Sequence, residues 1–368
     1  MGHSELESHF LGPLVARVFE DYPDLEYVKD SRAGTLPPNI EVREFFMKTG
    51  DYLGNETAQQ AYISTNYTFV ARDMVGQGMN VIAQAVASRE VNGQTRLSLS
   101  SNPDITFEVL EKMRAAGQSI LSVAVVNDAM PFMPNGAEVA ADFFDMVVTD
   151  PADTHAVFAP PNAKVTPADY AIGLHASSLV VDGGTLQIGI GSLGDAIGQA
   201  LIVRDRHGED YARILKSLCV NDLSGRETGR FNEGLYGCSE MFVNGFLKLM
   251  EAGIIRREVY PDATVQNLIN QGRVKDGMVT PEMVTALLDA GRIRSPLDAG
   301  DVDFLKRLGI LRSGVVLEDD ELSFEGHRCS ARIREGRHFA TLCGTMLGSR
   351  LKGGICMTGG FFLGPRDF

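Results

Sequence analysis

Two short stretches carry residues whose types and spacing could do chemistry. The first, "GTLQIGIGSLGDAIGQALI" (184–202), passes through Gly189, Gly191 and Gly194. The second, "GLYGCSEMFVNGFLKL" (234–249), holds Glu240. Glycine lets a backbone approach a ligand closely, and a carboxylate can attack an acyl group as a nucleophile. The elements that position these residues decide which chemistry is open to them.

The glycine stretch has the shape of a strand, a tight turn and a helix. Its "TLQIGI" segment predicts a strand, and a helix is expected from about Gly194. The G-x-G-x-x-G spacing is that of a dinucleotide fingerprint, which also needs an acidic residue about 20 positions later at the end of a second strand. Here Glu209 and Asp210 lie in a segment that predicts helix and polar turn. Two interpretations of the stretch therefore remain equally supported: a turn that only packs a helix on a sheet, and a turn that binds a ligand.

The glutamate stretch predicts a helix that begins near Ser239. From there the apolar residues recur at helical spacing, which would place Glu240 in the first turn. Amide donors at a helix N-terminus favour a charged carboxylate. On this pattern alone, Glu240 stabilises its own helix.

The first half of the chain predicts an α/β sheet. Strands are expected in "MNVIAQAVA" (79–87), "RLSLS" (96–100), "ILSVAVV" (120–126) and "FDMVVTD" (144–150), with a crossover helix over 103–117. Alternating strands and helices are typical of sheets with parallel strands. A helix is also expected over 11–22.

A proline-containing passage, 149–169, marks the predicted boundary between two domains, 1–160 and 161–368. After it, helices are expected over 168–180, 280–291 and 301–309, and a hairpin over 314–326.

Composition and charge disfavour nucleic acid and membranes as partners. The 368 residues have a net charge of −14 and no basic run, which disfavours nucleic acid as a partner. No apolar run approaches the roughly 18 residues of a membrane helix, and the first residues do not resemble a secretory signal. We therefore expect a cytoplasmic protein without a membrane partner.

Metal and classical nucleophile sites are not indicated. The cysteines are scattered and form no C-x-x-C pair, which argues against a disulfide framework or a zinc site: Cys219, Cys238, Cys329, Cys343 and Cys356. His327 and His338 have no ligand partner at metal spacing, and the pattern around His175 favours helix packing. Ser64, Ser98 and Ser101 do not lie in a G-x-S-x-G motif. No metal is predicted.

The two opening stretches, in this order and about 50 residues apart, resemble the acetyl-CoA hydrolase/transferase family of class I CoA-transferases, which includes acetate and 4-hydroxybutyrate CoA-transferases. The Q-x-G-x-G core of that family maps onto Gln187, Gly189 and Gly191, and its S/T-E-M-like sequence maps the nucleophile onto Glu240. "VNDAMPFM" (126–133) is similar to the N-x-x-M-P segment of the family's first domain.

The resemblance implies a CoA-transferase (NagB/RpiA-like) fold of two open α/β domains with mostly parallel sheets. It also implies a glutamyl-CoA thioester on Glu240, with Gln187, Gly189, Gly191 and Ser192 binding coenzyme A. The expected partners are a short-chain acyl-CoA, water or a carboxylic acid, and further copies of the chain in a homo-oligomer such as a homodimer.

Two departures qualify the resemblance. The family's late glycine-rich loop, G-G-x-G-D-F or G-G-Q-Y-N-F, is not matched by "TGGFFLGPRDF" (358–368), and the family opens with a strand and a helix before the segment that corresponds to residue 5. The expectation is a first domain without its first strand–helix unit and a second domain incomplete at its C-terminus. A non-catalytic CoA-binding or interaction protein, and a nicotinamide-binding enzyme, remain the alternatives.

Overall fold

The structure is a computed structural model of the chain. It describes residues 4–19, 25–47, 49–50, 52–91, 93–101, 104–157, 163–218, 222–274 and 277–364. Cys219, the pair Pro160 and Pro161, and the final "PRDF" (365–368) lie outside the described residues.

Helices occur along the whole described chain. They are α1 Glu5–Val18, α2 Glu26–Ala33, α3 Glu56–Gln60, α4 Val70–Gly76, α5 Asp104–Ala115, α6 Pro167–Ser177, α7 Ser192–Arg206, α8 Gly208–Ser217, α9 Asn244–Glu251, α10 Ala263–Asn270, α11 Pro281–Asp289, α12 Ala299–Arg307 and α13 Gly336–Thr341. A π-helical turn, Leu342–Met346, continues α13. The predicted helices over 103–117, 168–180, 280–291 and 301–309 are confirmed in position. The helix expected over 11–22 begins earlier, at Glu5.

The strands form three sheets. They are β1 Val81–Val91, β2 Gln94–Ser98, β3 Leu121–Val126, β4 Glu138–Ala140, β5 Met146–Val148, β6 Thr185–Leu186, β7 Tyr236–Val243, β8 Val316–Glu318, β9 Glu321–Phe324, β10 His327–Ser330 and β11 Cys356–Leu363. Their orders are β4-β2-β1-β3-β5, β11-β7-β6 and β10-β9-β8.

The first sheet is mixed, which corrects the expectation of a mostly parallel one. β1 runs parallel to β3, and β3 to β5, but β1–β2 and β2–β4 are antiparallel. Val91 pairs with Gln94 across a two-residue connection in which Gly93 has φ 75°. A connection this short can join only antiparallel strands, whereas α5 crosses over between parallel ones.

The second sheet is parallel throughout and contains Glu240. β7 lies between β6 and β11. Its apolar core, which includes Leu186, Ile188, Leu201, Phe246 and Leu249, joins the sheet to α7 and α9.

The prediction of a helix that begins near Ser239 is wrong. Ser239 and Glu240 lie inside β7, and the helix begins only at Asn244. β11 pairs with β7 along Cys356–Leu363, and this long-range pairing outweighs the local helical spacing. Glu240 therefore gains nothing from a helix N-terminus.

The described residues between 260 and 351 pack around an apolar cluster of their own, between α9 and β11. The predicted hairpin is confirmed as β8 and β9, whose turn residues Asp319 and Asp320 have φ 48° and 61°. β10 adds a third antiparallel strand. This sheet also departs from the mostly parallel expectation.

Candidate active site

The glycine turn, residues 187–191, connects β6 to α7. Gly191 has φ 102°, a backbone conformation that favours glycine. A Cβ on Gly194 would lie 2.3 Å from the carbonyl oxygen of Gly189, so the first turn of α7 packs directly on the glycine turn. A Cβ on Gly189 would have no atom within 4 Å. Gly194 thus serves packing, while Gly189 leaves open backbone surface for a ligand.

The remaining predicted binding residues differ in their surroundings. Gln187 is exposed beside the turn. Hydrogen bonds from Thr166, with a smaller one from Ser192, lower the pKa of the Asp169 carboxyl. The Ser192 hydroxyl is therefore engaged with α6.

Asp195, in the first turn of α7, was not singled out from the sequence. Burial raises the pKa of its carboxyl. A carboxylate directly after Gly194 was the available signal.

Glu240 is exposed on β7, and its neighbour ties the strand to the glycine turn. The Ser239 hydroxyl donates a hydrogen bond to the carbonyl of Ile188 at 3.1 Å. The structure thus brings the Ser-Glu pair beside the glycine turn. Within the described chain, the Glu240 carboxylate itself makes no hydrogen bond to Gln187 or Ser192.

A glycine bulge in β11 flanks Glu240 on the other side. The β7–β11 register shifts between Thr358 and Phe361, so Gly359 and Gly360 stand opposite Glu240. The Thr358 hydroxyl donates to the Glu240 carbonyl at 3.3 Å, and a Cβ on Gly359 would lie 2.9 Å from that oxygen. Gly360 has φ 99°. Bulges of this kind re-aim neighbouring side chains beside active sites.

Sequence reasoning missed this bulge. It set "TGGFFLGPRDF" aside because the family's late loop was not matched. Two consecutive glycines inside an apolar strand were the signal that could have found it.

A cleft of about 470 Å³, here called the bulge cleft, lies between the bulge and residues 133–137. Thr358, Gly359, Gly360 and Phe362 line one wall. Phe362 pairs with Phe242, and their ring centroids are 5.7 Å apart. Residues two apart in a strand share a face, so Glu240, Phe242 and Phe362 lie on one face of the sheet.

The opposite wall includes residues 133–137, of which Met133 ends the "VNDAMPFM" segment (126–133). The Ser98 hydroxyl donates to the Met133 carbonyl at 2.8 Å and accepts from the Met133 N–H at 3.0 Å. The Ser100 hydroxyl donates to the Pro131 carbonyl at 2.7 Å. These bonds give Ser98 a structural role and fix the loop over the bulge.

A second cleft, of about 620 Å³, is lined by Phe361, Gln84, Thr106 and His155 among others. Phe361 precedes Phe362 in β11, so β11 contributes to both clefts. Glu240 is not among the lining residues of either cleft.

Buried polar residues hold the loop that leads into β7. The Arg204 side chain is fully buried and donates to the carbonyls of Gly229 at 2.8 Å and Ser177 at 3.0 Å. Burial alone would raise the pKa of Asp182, but hydrogen bonds from the backbone N–H groups of residues 232–234 outweigh it and lower that pKa. The loop enters β7 in a fixed position.

Within the described ranges, no group of three His, Cys, Asp or Glu side chains is placed to hold a metal ion. None of the helices in the described parts of the chain is long and apolar enough to cross a membrane.

No family model and no curated protein matches the chain. Among solved structures, RipA from Yersinia pestis is 18% identical, with a TM-score of 0.42 over 58% of this chain and 43% of that one. The 4-hydroxybutyrate CoA-transferase from Porphyromonas gingivalis is 22% identical, with a TM-score of 0.36 over 57% of this chain and 45% of that one. The chain spans less than half the length of these solved proteins. Its similarity to a solved CoA-transferase is thus partial and of low identity.

Proposed function

We propose that the protein is an acyl-CoA hydrolase or CoA-transferase that acts through a glutamyl-CoA thioester on Glu240. One observation carries the proposal: the backbone of Ser239 and Glu240 is held between two glycine segments, by the Ser239–Ile188 bond on one side and the Thr358–Glu240 bond on the other. The resemblance of the two sequence stretches to CoA-transferases supports the same assignment.

The chemistry suits an exposed carboxylate. The Glu240 carboxylate attacks the thioester carbonyl of an acyl-CoA, the C–S bond breaks, and a mixed anhydride and the CoA thiolate form. The thiolate then attacks the glutamyl carbonyl and releases the substrate's acyl group as a carboxylate. Water hydrolyses the resulting glutamyl-CoA thioester, or a carboxylic acid takes up the CoA through a second anhydride.

In this proposal the glycine turn binds coenzyme A. The open backbone at Gly189 and Gly191, with Gln187 and Ser192 beside it, gives the thioester a surface without obstructing side chains. Backbone N–H groups aimed at a developing oxyanion stabilise the tetrahedral intermediate. No metal takes part in the proposed reaction.

The test is direct trapping. The protein is incubated with acetyl-CoA and then with borohydride, which reduces a glutamyl thioester, and peptide mapping should find the mark on Glu240. Glu240→Ala should abolish both label and turnover, and Glu240→Asp should lose about 100-fold because the carboxylate retreats. Glu251→Ala, an exposed glutamate on α9, is the matched control and should keep both. Full turnover in Glu240→Ala would reject the assignment.

We further propose a cytoplasmic homo-oligomer. Leu6 and Phe10 on α1 are 80% and 76% exposed, and Leu53 is 85% exposed. Exposed apolar side chains of this size favour association. Sedimentation at several concentrations should show an assembly larger than one chain, and a monomer throughout would contradict this.

A further inference from the structure

The bulge cleft is apolar, and none of its described lining residues carries a charge. Its lining includes the large apolar side chains of Phe107, Met133, Met357 and Phe362. Its volume of about 470 Å³ lies within the range of roughly 300–1,000 Å³ that small-molecule sites occupy. A two-carbon acetyl group would leave most of this space unfilled.

The hydroxyls in the cleft already have acceptors. Ser100 donates to the Pro131 carbonyl and Thr358 donates to the Glu240 carbonyl. Asn135 is exposed and uncharged. A second carboxylate on the ligand would meet no cation among the lining residues that the structure describes, and burying an unpaired charge is costly.

The cleft lies beside the proposed nucleophile. Gly359 and Gly360 line it, and a Cβ on Gly359 would lie 3.7 Å from the Cα of Glu240. Glu240 also shares a sheet face with Phe362, which lines the same cleft. An acyl group whose thioester carbon meets Glu240 can therefore extend into it.

We propose that the substrate is an uncharged, apolar acyl-CoA with a chain longer than acetyl, and that the bulge cleft holds this chain. The proposal rests on the proposed function of Glu240 and names the substrate class of that site.

The experiment measures dissociation constants by titration calorimetry for CoA, acetyl-CoA, hexanoyl-CoA and succinyl-CoA. Four additional methylenes placed in an apolar cleft should make hexanoyl-CoA bind about 10- to 100-fold more tightly than acetyl-CoA. Succinyl-CoA should bind no more tightly than acetyl-CoA.

Ala137→Leu fills the cleft from the loop wall, since Ala137 lines it. This substitution should remove the advantage of hexanoyl-CoA over acetyl-CoA. Ala129→Leu is the matched control, because Ala129 is exposed in the preceding turn and lines neither cleft. Met133→Ala enlarges the cleft and should extend the preference to decanoyl-CoA, which keeps the test valid if Ala137→Leu unfolds.

Each contrary outcome has a distinct meaning. Equal affinities for acetyl-CoA and hexanoyl-CoA, or tight binding of succinyl-CoA, would overturn the acyl assignment and leave the proposed function standing. Equal weakening of CoA and hexanoyl-CoA by Ala137→Leu would assign the cleft to the CoA moiety and also overturn it. Failure of every thioester and of CoA to bind would reject the proposed function together with this inference.

Discussion

The hydroxyl of Thr358 donates a hydrogen bond to the backbone carbonyl of Glu240 at 3.3 Å, across 118 positions of sequence. The bond joins the edge strand β11 to the strand that carries the proposed nucleophile. Gly359 lies against the same carbonyl oxygen, because a side chain at position 359 would clash with it. The position of Glu240 therefore depends on the glycine bulge.

Gly359→Ala should lower turnover while the protein stays folded. The new methyl group would lie 2.9 Å from the Glu240 carbonyl oxygen, and the strand must shift to make room. A displacement of up to 1 Å can cost about 100-fold in rate. Gly354→Ala is the control, because its Cβ would meet its nearest atom only at 3.8 Å. Steady-state kinetics would contradict the prediction if both variants kept full turnover.

Gly194→Ala should lower the stability of the protein, whereas Gly189→Ala should lower its affinity for CoA. At Gly194 the methyl group would lie 2.3 Å from a backbone oxygen, so unfolding free energy should fall by about 1–3 kcal/mol. At Gly189 the methyl group meets open space. That variant should keep its melting temperature and lose affinity for CoA. Calorimetry that found CoA binding unchanged in Gly189→Ala would remove the turn from the proposed site.

Arg204→Met should destabilise the protein by about 1–3 kcal/mol for each buried carbonyl that loses its donor. The fully buried guanidinium is bonded to carbonyls of Gly229 and Ser177, which would lose their donors without gaining water. Arg206→Met, two residues later and exposed, should change stability by less than about 0.5 kcal/mol. Urea unfolding compares the two, and equal losses would show that the buried bonds contribute little.

Tyr260 should make stability depend on alkaline pH. Burial, followed by its hydrogen bond to Glu258 at 2.7 Å, raises the pKa of Tyr260 from 10.0 to about 12. Because the folded pKa lies above the unfolded one, this contribution is complete below pH 10 and is lost as the pH rises through about 12. Tyr260→Phe should be about 1–3 kcal/mol less stable than the unaltered protein at pH 8, and the gap should narrow between pH 10 and 12.

Urea unfolding at pH 8, 10 and 11.5 measures this gap. Tyr170→Phe, at an exposed position, is the control and should change the unfolding free energy by less than about 0.5 kcal/mol. A Tyr260→Phe gap that stays constant with pH would contradict the assigned pKa shift.

Much of the first half of the fold follows from local sequence. The apolar runs of β1 and β3 are long enough to predict strands, and α5 has clear helical spacing. The direction of β2 depends on the tight turn at Gly93, which was not weighed. The domain boundary near residue 160 stays a prediction, since residues 158–162 lie outside the described ranges.

The site was predicted less well, for a physical reason. "SEMFVNGFLKL" satisfies helical spacing, and only its pairing with residues 356–363 makes its first half a strand. That partner is distant in sequence, so no local window contains the information. The same distance hid the role of Gly359 and Gly360, which acquire a function only opposite Glu240.

The chain leaves the parallel sheet before the segment 260–351 and rejoins it after that segment, at a neighbouring position. Val259 and Gly354 exchange two backbone hydrogen bonds, of 2.9 and 3.0 Å, so the chain departs and arrives at neighbouring positions. A unit whose ends meet in this way can be excised or exchanged without moving the strands it interrupts. Joining Val259 to Gly354 by a short glycine linker should therefore yield a minimal protein in which β7 and β11 still pair.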